Sequence, residues 1–259
     1  MVVKPLPNDP VGSGTLLLNA LGGITGTAAD PWLLKIEPGI YDIGLGTLVM
    51  KPFVDIEGSG EGMTTIRGAG NPLLAPEEPT VLGADNAELR FLTVESVGGT
   101  STLGMQATGT SPRLTHVTVQ ASGASLYNSA LRSYNGANPA ITDATLSADG
   151  YAVQVEGASL KLHNVRVTSS GYAIVLYQGS MTAIDVTITG QTGVEFFNNS
   201  SAVIERSSIT ATGAALSIIN STAQIGASKL AGSVQLTNST AACAGVYDGS
   251  FAAIGPTCF

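Results

Sequence analysis

A six-residue pattern recurs along the chain: apolar, any, polar or small, apolar or small, any, apolar. It reads LTHVTV at 114–119, ITDATL at 141–146 and LHNVRV at 162–167. It continues as AIDVTI at 183–188, IERSSI at 204–209 and IGASKL at 225–230, with a weaker early copy, LRFLTV, at 89–94. The closing apolar residues stand at 94, 119, 146, 167, 188, 209 and 230, so the spacing settles at 21. A second alternating series follows the hexads: Val153 and Val155, Ile174 and Leu176, Val194 and Phe196, Leu216 and Ile218, Val234 and Leu236. Alternation with period two marks strands with one buried face. A period near 21, at least two short strands per repeat and no helical pattern together predict an all-β parallel solenoid. Each coil is too small to bury its own apolar face, so coils must stack, about 4.8 Å apart, into one continuous core.

The third hexad position is polar where the alternation breaks. It holds His116, Asp143, Asn164, Asp185 and Arg206. A sharp corner is expected there, because Asp and Asn tolerate left-handed backbone and hydrogen-bond locally. A second column, Asn199, Asn220 and Asn238, formally matches the N-glycosylation acceptor pattern. Its repetition in register favours a turn ladder of stacked side-chain amides. Asp143, Asn164, Asp185, Asn199, Asn220 and Asn238 are therefore assigned to turn ladders. Tyr151 and Tyr172, 21 residues apart, are expected to stack outward as packing.

The ends read differently. At 13–21, SGTLLLNAL has apolar positions at helical spacing after Ser13, a candidate N-cap. A short helix there would cover the open end of the solenoid, an unpaired edge that otherwise invites polymerisation. The expected organisation is an N-terminal segment with capping helix at 1–32, a parallel β-helix at 33–240 and a C-terminal cap at 241–259. Cys243 and Cys258 are the only cysteines. A disulfide between them would staple the cap, contribute about 3 kcal/mol and indicate an oxidising, extracytoplasmic setting. Neither has metal-ligand spacing to a second Cys or a His. Residues 1–10 carry no basic region followed by an apolar run, and do not read as a secretory signal.

Composition sharpens the picture. There are 32 Gly among 259 residues, 12% charged and 5% aromatic residues, yet 44% are hydrophobic. Disorder is excluded, since it needs low hydrophobicity and high charge. The apolar runs are far shorter than the roughly 20 residues of a spanning helix, so no membrane span is expected. With 11 Lys and Arg against 19 Asp and Glu, the net charge is −8. There is no basic stripe, which argues against nucleic acid as a partner.

Pro38-Gly39-Ile40-Tyr41, Val54-Asp55-Ile56-Glu57-Gly58 and Thr65-Ile66-Arg67-Gly68 resemble the N-terminal coils of pectin methylesterase-like proteins of the pectin lyase-like superfamily. The specific resemblance covers about 12–70, and the generic coil pattern extends it to about 240. It implies a single-stranded right-handed parallel β-helix with ~21-residue coils. The chemistry does not carry over. The block with Gly-Thr-x-Asp-Phe, a nearby Gln-Ala pair and an Arg finds no counterpart. The polygalacturonase elements Asn-Thr-Asp, Gly-His-Gly and Arg-x-Lys are also missing, and His116 and His163 lie in other contexts. The run Gly58-Ser59-Gly60-Glu61-Gly62 lacks the Lys and helix of a phosphate loop.

The preferred reading is a non-catalytic extracellular or secreted β-helix with a structural, adhesive or glycan-binding role, its partner a polysaccharide or cell-surface glycan. No catalytic, cofactor or metal residue is assigned. The alternative is a diverged pectin esterase- or lyase-like enzyme acting on an acidic polysaccharide. It would use Asp143, Asp185 or Glu195 with Arg132 or Arg166. Ice binding ranks lower, because Arg166, Ser208 and Lys229 interrupt the threonine column of Thr118, Thr145 and Thr187.

Overall fold

The computed structural model describes residues 1–69, 78–98, 101–123 and 127–258. Residues 70–77, 99–100 and 124–126 of the expected solenoid, and residue 259 of the expected cap, lie outside the described residues. The chain is a right-handed parallel β-helix of about 10 turns with one short helix. Each regular coil has three strands, as in Ser180–Ile184, Thr187–Gly190 and Thr192–Phe197. These define a first, second and third face of the solenoid.

Every strand pairs in parallel with its equivalents one coil away. On the second face the hexad closures form one register, Val94, Val119, Leu146, Val167, Ile188, Ile209 and Leu230. On the third face Val153, Ile174, Val194, Leu216 and Val234 do the same. The first face supplies Leu162, Ala183, Ile204, Ile225 and Cys243. These columns meet inside the coil and form the core, with Val167, Ile188, Ile174, Val194 and Ile204 at 0% exposure.

A fourth internal column explains much of the Gly and Ala content. The third-face register aligns Gly104, Ala130, Ala152, Ala173, Gly193 and Ala215 at the entry to each strand. A Cβ on Gly193 would stand 2.4 Å from Ile209 Cγ2 and 2.5 Å from the Ala215 carbonyl oxygen. The backbone turns too close to the second-face side chains to leave room for more than a methyl group.

The corners are made by single left-handed residues. Phe91, His116, Asp143, Asn164, Asp185, Arg206 and Ala227 have φ between 46° and 58°. The ladder of backbone bonds passes through them unbroken: Asp185 N–H donates to Glu205 C=O at 3.1 Å and Arg206 N–H to Gly226 C=O at 3.0 Å. At Arg206 and Ala227 a serine follows the corner residue. Ser207 Oγ donates to Glu205 C=O at 2.7 Å and accepts from Val186 N–H at 3.0 Å. Ser228 repeats this arrangement one coil later.

At the N-terminal end the helix spans Pro10–Gly22, longer than the expected 13–21. Its N-cap is Asp9, whose carboxylate accepts from Gly12 N–H at 2.8 Å, and not Ser13. Ser13 is instead buried one turn inside, donating to Asp9 C=O and accepting from Leu6 N–H. Pro10 at the first helical position fits this start, since the N–H it lacks would be unpaired anyway. Leu17 and Leu21 are buried beneath the helix. It runs so close to the strand Gly39–Asp42 that a Cβ on Gly14 would overlap the Asp42 carbonyl. The sheet begins before the helix, because Val2–Val3 pairs with Trp32–Ile36. Tyr41 ties these pieces together: its buried hydroxyl donates to the Val3 and Glu37 carbonyls, and burial pushes the phenol up to about 12.

At the other end, Thr240–Ala244 and Tyr247–Asp248 continue the first and second faces. The last residues fold back over them, with Cys243 N–H donating to Pro256 C=O and Ile254 N–H to Val246 C=O, both 2.9 Å. Cys243 and Cys258 are disulfide-bonded.

Two measurements test this packing. Replacing both cysteines by Ala is expected to lower unfolding free energy by about 3 kcal/mol, read from urea titration. Gly193→Ala is expected to destabilise by about 1–3 kcal/mol through overpacking; an unchanged midpoint would show that the coil has room to spare there.

Candidate functional site

The charged residues singled out from sequence gather on the corner between the first and second faces. Asn164 Nδ2 donates to Asp143 Oδ1 at 2.6 Å, and His116 Nε2 lies 3.8 Å from Asp143 Oδ2. The Phe91 ring stacks on His116 with centroids 5.0 Å apart. One coil beyond Asn164, Arg206 grips Asp185 with two bonds of 2.9 and 2.8 Å, and His163 Nε2 lies 3.7 Å from the same carboxylate. The Arg206 guanidinium holds the Asp185 carboxyl below the usual range. His116, Asp143, Asn164 and Asp185, with Arg166, Thr145 and Thr187, line a shallow depression of about 360 Å³.

This arrangement consumes its charges internally. Asp143 and Asp185 are two coils apart with Asn164 between them, about 10 Å by strand spacing, and each already has its own partners. They cannot act as a carboxylate pair on one reacting group. Among the described residues no group of three or more His, Cys, Asp or Glu could hold a metal ion.

The corner between the third and first faces carries the other expected ladder. Asn199, Asn220 and Asn238 have φ of 65°, 49° and 50°. The side-chain bonds between these coils run through the residue that follows each. Ser200 N–H donates to Ser221 Oγ and Ser221 N–H to Ser239 Oγ, both 3.1 Å. The asparagines supply the left-handed turn and the serines the coil-to-coil bonds, so the stacked-amide reading is replaced here by a hydroxyl ladder. The signal was present in sequence as the Ser after each Asn.

The third face holds what sequence reasoning ranked low. Its outward central column is Gln106, Arg132, Gln154, Val175, Glu195 and Ser217. Gln106-Ala107 is a Gln-Ala pair that the sequence reading passed over, and Arg132 stands one coil beyond it. No aspartate joins them in this column. Arg132 Nε donates to Gln154 Oε1 at 2.9 Å. Glu195 is half-buried, and desolvation pushes its carboxyl up against a weak opposing bond from Ser217. Arg132 and Glu195 are three coils apart, about 14 Å by strand spacing. Arg166, the other arginine considered, lies on the second face.

Aromatic rings border this column on both sides. Tyr127, Tyr151 and Tyr172 stack along the solenoid with centroid spacings of 6.4 and 5.3 Å. They line a depression of about 220 Å³ with Gln191. Burial first, then Tyr172, Tyr127 and Glu195, pushes the Tyr151 phenol up. On the far side Tyr134, Glu156, Tyr177 and Phe197 follow one another in register. Five of the 7 tyrosines in the chain therefore lie on this face. Tyr127, Tyr172 and Tyr177 are 65%, 36% and 41% exposed, so the cluster is more than packing between coils.

No family model matches the sequence, and no curated protein matches it. Solved structures do match in shape. The Dettilon tailspike protein superposes with a TM-score of 0.67 at 11% identity, covering 89% of this chain and 50% of its own. This chain thus spans about half of that protein. Pectin methylesterase PemA from Erwinia chrysanthemi gives 0.56 at 11% identity, covering 99% and 91%. Alginate lyase from Paenibacillus gives 0.53 at 9% identity, covering 96% and 95%. At these identities the likeness establishes the pectin lyase-like β-helix fold. Among the described residues no helix is long and apolar enough to cross a membrane.

Glu195 offers a direct check on the electrostatics. Its folded-state pKa lies above the unfolded value, near 4.3, so folding binds the proton more tightly. That contribution favours the fold at low pH and is lost as pH rises from the unfolded value through the raised folded one. Glu195→Gln is expected to melt higher than the parent at pH 7, with the difference vanishing below about pH 4. Parallel melting curves across pH for both proteins would reveal it.

Proposed function

We propose that this protein is an extracellular β-helix that binds a glycan chain along its third face and does not turn it over. The observation that carries the reading is the concentration of scarce aromatic residues, exposed and in register, on one face of a scaffold otherwise dressed in small side chains. Tyrosine presents a flat apolar ring with a polar tip, at low cost in conformational entropy. Stacked at coil spacing, such rings suit the apolar faces of successive sugar residues. The named activities of the neighbours, on pectin and alginate, belong to those proteins. They agree with a carbohydrate-related role here without assigning one. The disulfide suits an oxidising compartment.

Against turnover stands the lack of a cooperating acid and base. Glu195 is the one carboxylate in its column among the described residues, and the two corner aspartates are held by partners. Glycoside hydrolysis in its usual form needs two carboxyl groups facing one bond.

A glycan array, run beside an esterase and lyase panel, tests both halves. The double variant Tyr177→Ala/Phe197→Ala is expected to lose at least tenfold in affinity, since each aromatic contact contributes on the order of 1 kcal/mol. Turnover of a pectic substrate that Asp143→Ala or Asp185→Ala abolishes would refute the non-catalytic reading.

A further inference from the structure

We infer that the glycan held on this face is uncharged, and that it lies parallel to the solenoid axis against the corner between the third and first faces. The inference rests on the glycan-binding reading and specifies the ligand's class and direction.

That corner presents a column of amides. Asn135, Gln178, Asn198, Asn199, Asn220 and Asn238 all adopt left-handed backbone, with φ from 50° to 65° save 49° at Asn220. Their backbones are tied coil to coil, as in Gln178 N–H to Phe197 C=O and Asn220 N–H to Thr237 C=O. Their side-chain amides make no hydrogen bond to another described residue, whereas the serines beside them are fully engaged. Turn geometry therefore uses these residues' backbones and leaves their side chains to solvent. An amide both donates and accepts, which suits hydroxyl groups, and coils repeat about every 4.8 Å, close to the length of one sugar in an extended chain.

Two further observations fix the class. Toward the C-terminal end the corner opens into a groove of about 570 Å³, lined only by Asn, Ser and Thr. Tyr134, Tyr177 and Phe197 immediately precede Asn135, Gln178 and Asn198 in sequence, so three of the coils set a ring beside an amide at this edge, while the coil of Glu156-Gly157 between the first two does not. The charges nearby are Glu156 and Glu195 on the third face and Lys161 on the first, while Arg132 is bound to Gln154. A uronate chain would meet two carboxylates beside the rings there and one exposed lysine, Lys161. A hydroxyl-rich neutral chain meets groups matched to it.

The test measures binding of the full chain to neutral gluco-, manno- and galacto-oligosaccharides and to oligogalacturonate and oligoguluronate of equal length. The triple variant Asn199→Gly/Asn220→Gly/Asn238→Gly deletes three amides, and Gly still accepts the left-handed backbone. Expected are neutral-chain binding, at least tenfold preference over uronates, and at least tenfold loss in the triple variant with its melting transition retained. Tighter binding of a uronate chain overturns the inference. So does full affinity in a folded triple variant while Tyr177→Ala/Phe197→Ala abolishes binding, a result that leaves the glycan-binding reading intact. If the triple variant fails to fold, the single Asn220→Gly must weaken binding by about the cube root of that factor, and an unchanged affinity overturns the inference. No binding of any saccharide removes both readings together.

Discussion

The whole architecture depends on carrying backbone hydrogen bonds from coil to coil around corners. Core columns and side-chain bonds such as the Ser200–Ser221–Ser239 ladder add to the axial cohesion these backbone bonds supply. The left-handed residue meets the need by reversing the local twist for one position while its N–H still reaches the next coil, as in the Asp185 to Glu205 and Arg206 to Gly226 bonds. At Arg206 and Ala227 the serine that follows adds a hydroxyl that donates within its own coil and accepts from the one before.

From that constraint follow the features that looked merely compositional. A coil of about 21 residues with three faces has a narrow interior, so the core is built from Val, Ile, Leu and Ala in columns. The entry to each third-face strand admits only Gly or Ala. Charge is limited for a related reason: an outward residue has an equivalent one coil away on each side, and like charges in one column would repel. Where charges occur they pair along columns. Lys35, Glu57 and Arg90 follow one another on the first face with ion pairs of 3.1 and 2.8 Å, and Asp185 meets Arg206 across one coil. Such exposed pairs contribute little stability individually. Their alternation does avoid the cost of repulsion.

The same regularity gives the outer surface its use. Any residue placed outward is repeated at fixed intervals along a stiff rod, the geometry wanted for meeting another periodic polymer. The histidine- and aspartate-bearing corner spends its groups on one another. The third face keeps exposed rings and its neighbouring corner keeps unengaged amides. On the proposed reading, recognition is separated from the strongest charges on the rod and relies on stacking and neutral hydrogen bonds.

Sequence periodicity by itself determined which residues point inward, the register of both strand series and the corner positions such as Asn164, because in–out alternation is written locally, one residue at a time. The cysteine pair was legible from its isolation near the end of the chain. What only the tertiary structure decided is which outward residues share a face. Tyr127 joins the Tyr151–Tyr172 stack that the 21-residue spacing predicts, and Tyr134 joins Tyr177 and Phe197, only once coil lengths and corner angles are set by packing among all the coils. The helix start also moved, from Ser13 to Asp9, because Ser13 is claimed by the buried contact with Leu6. Local pattern fixes burial; adjacency between residues 20 or more apart depends on how each coil closes on the next.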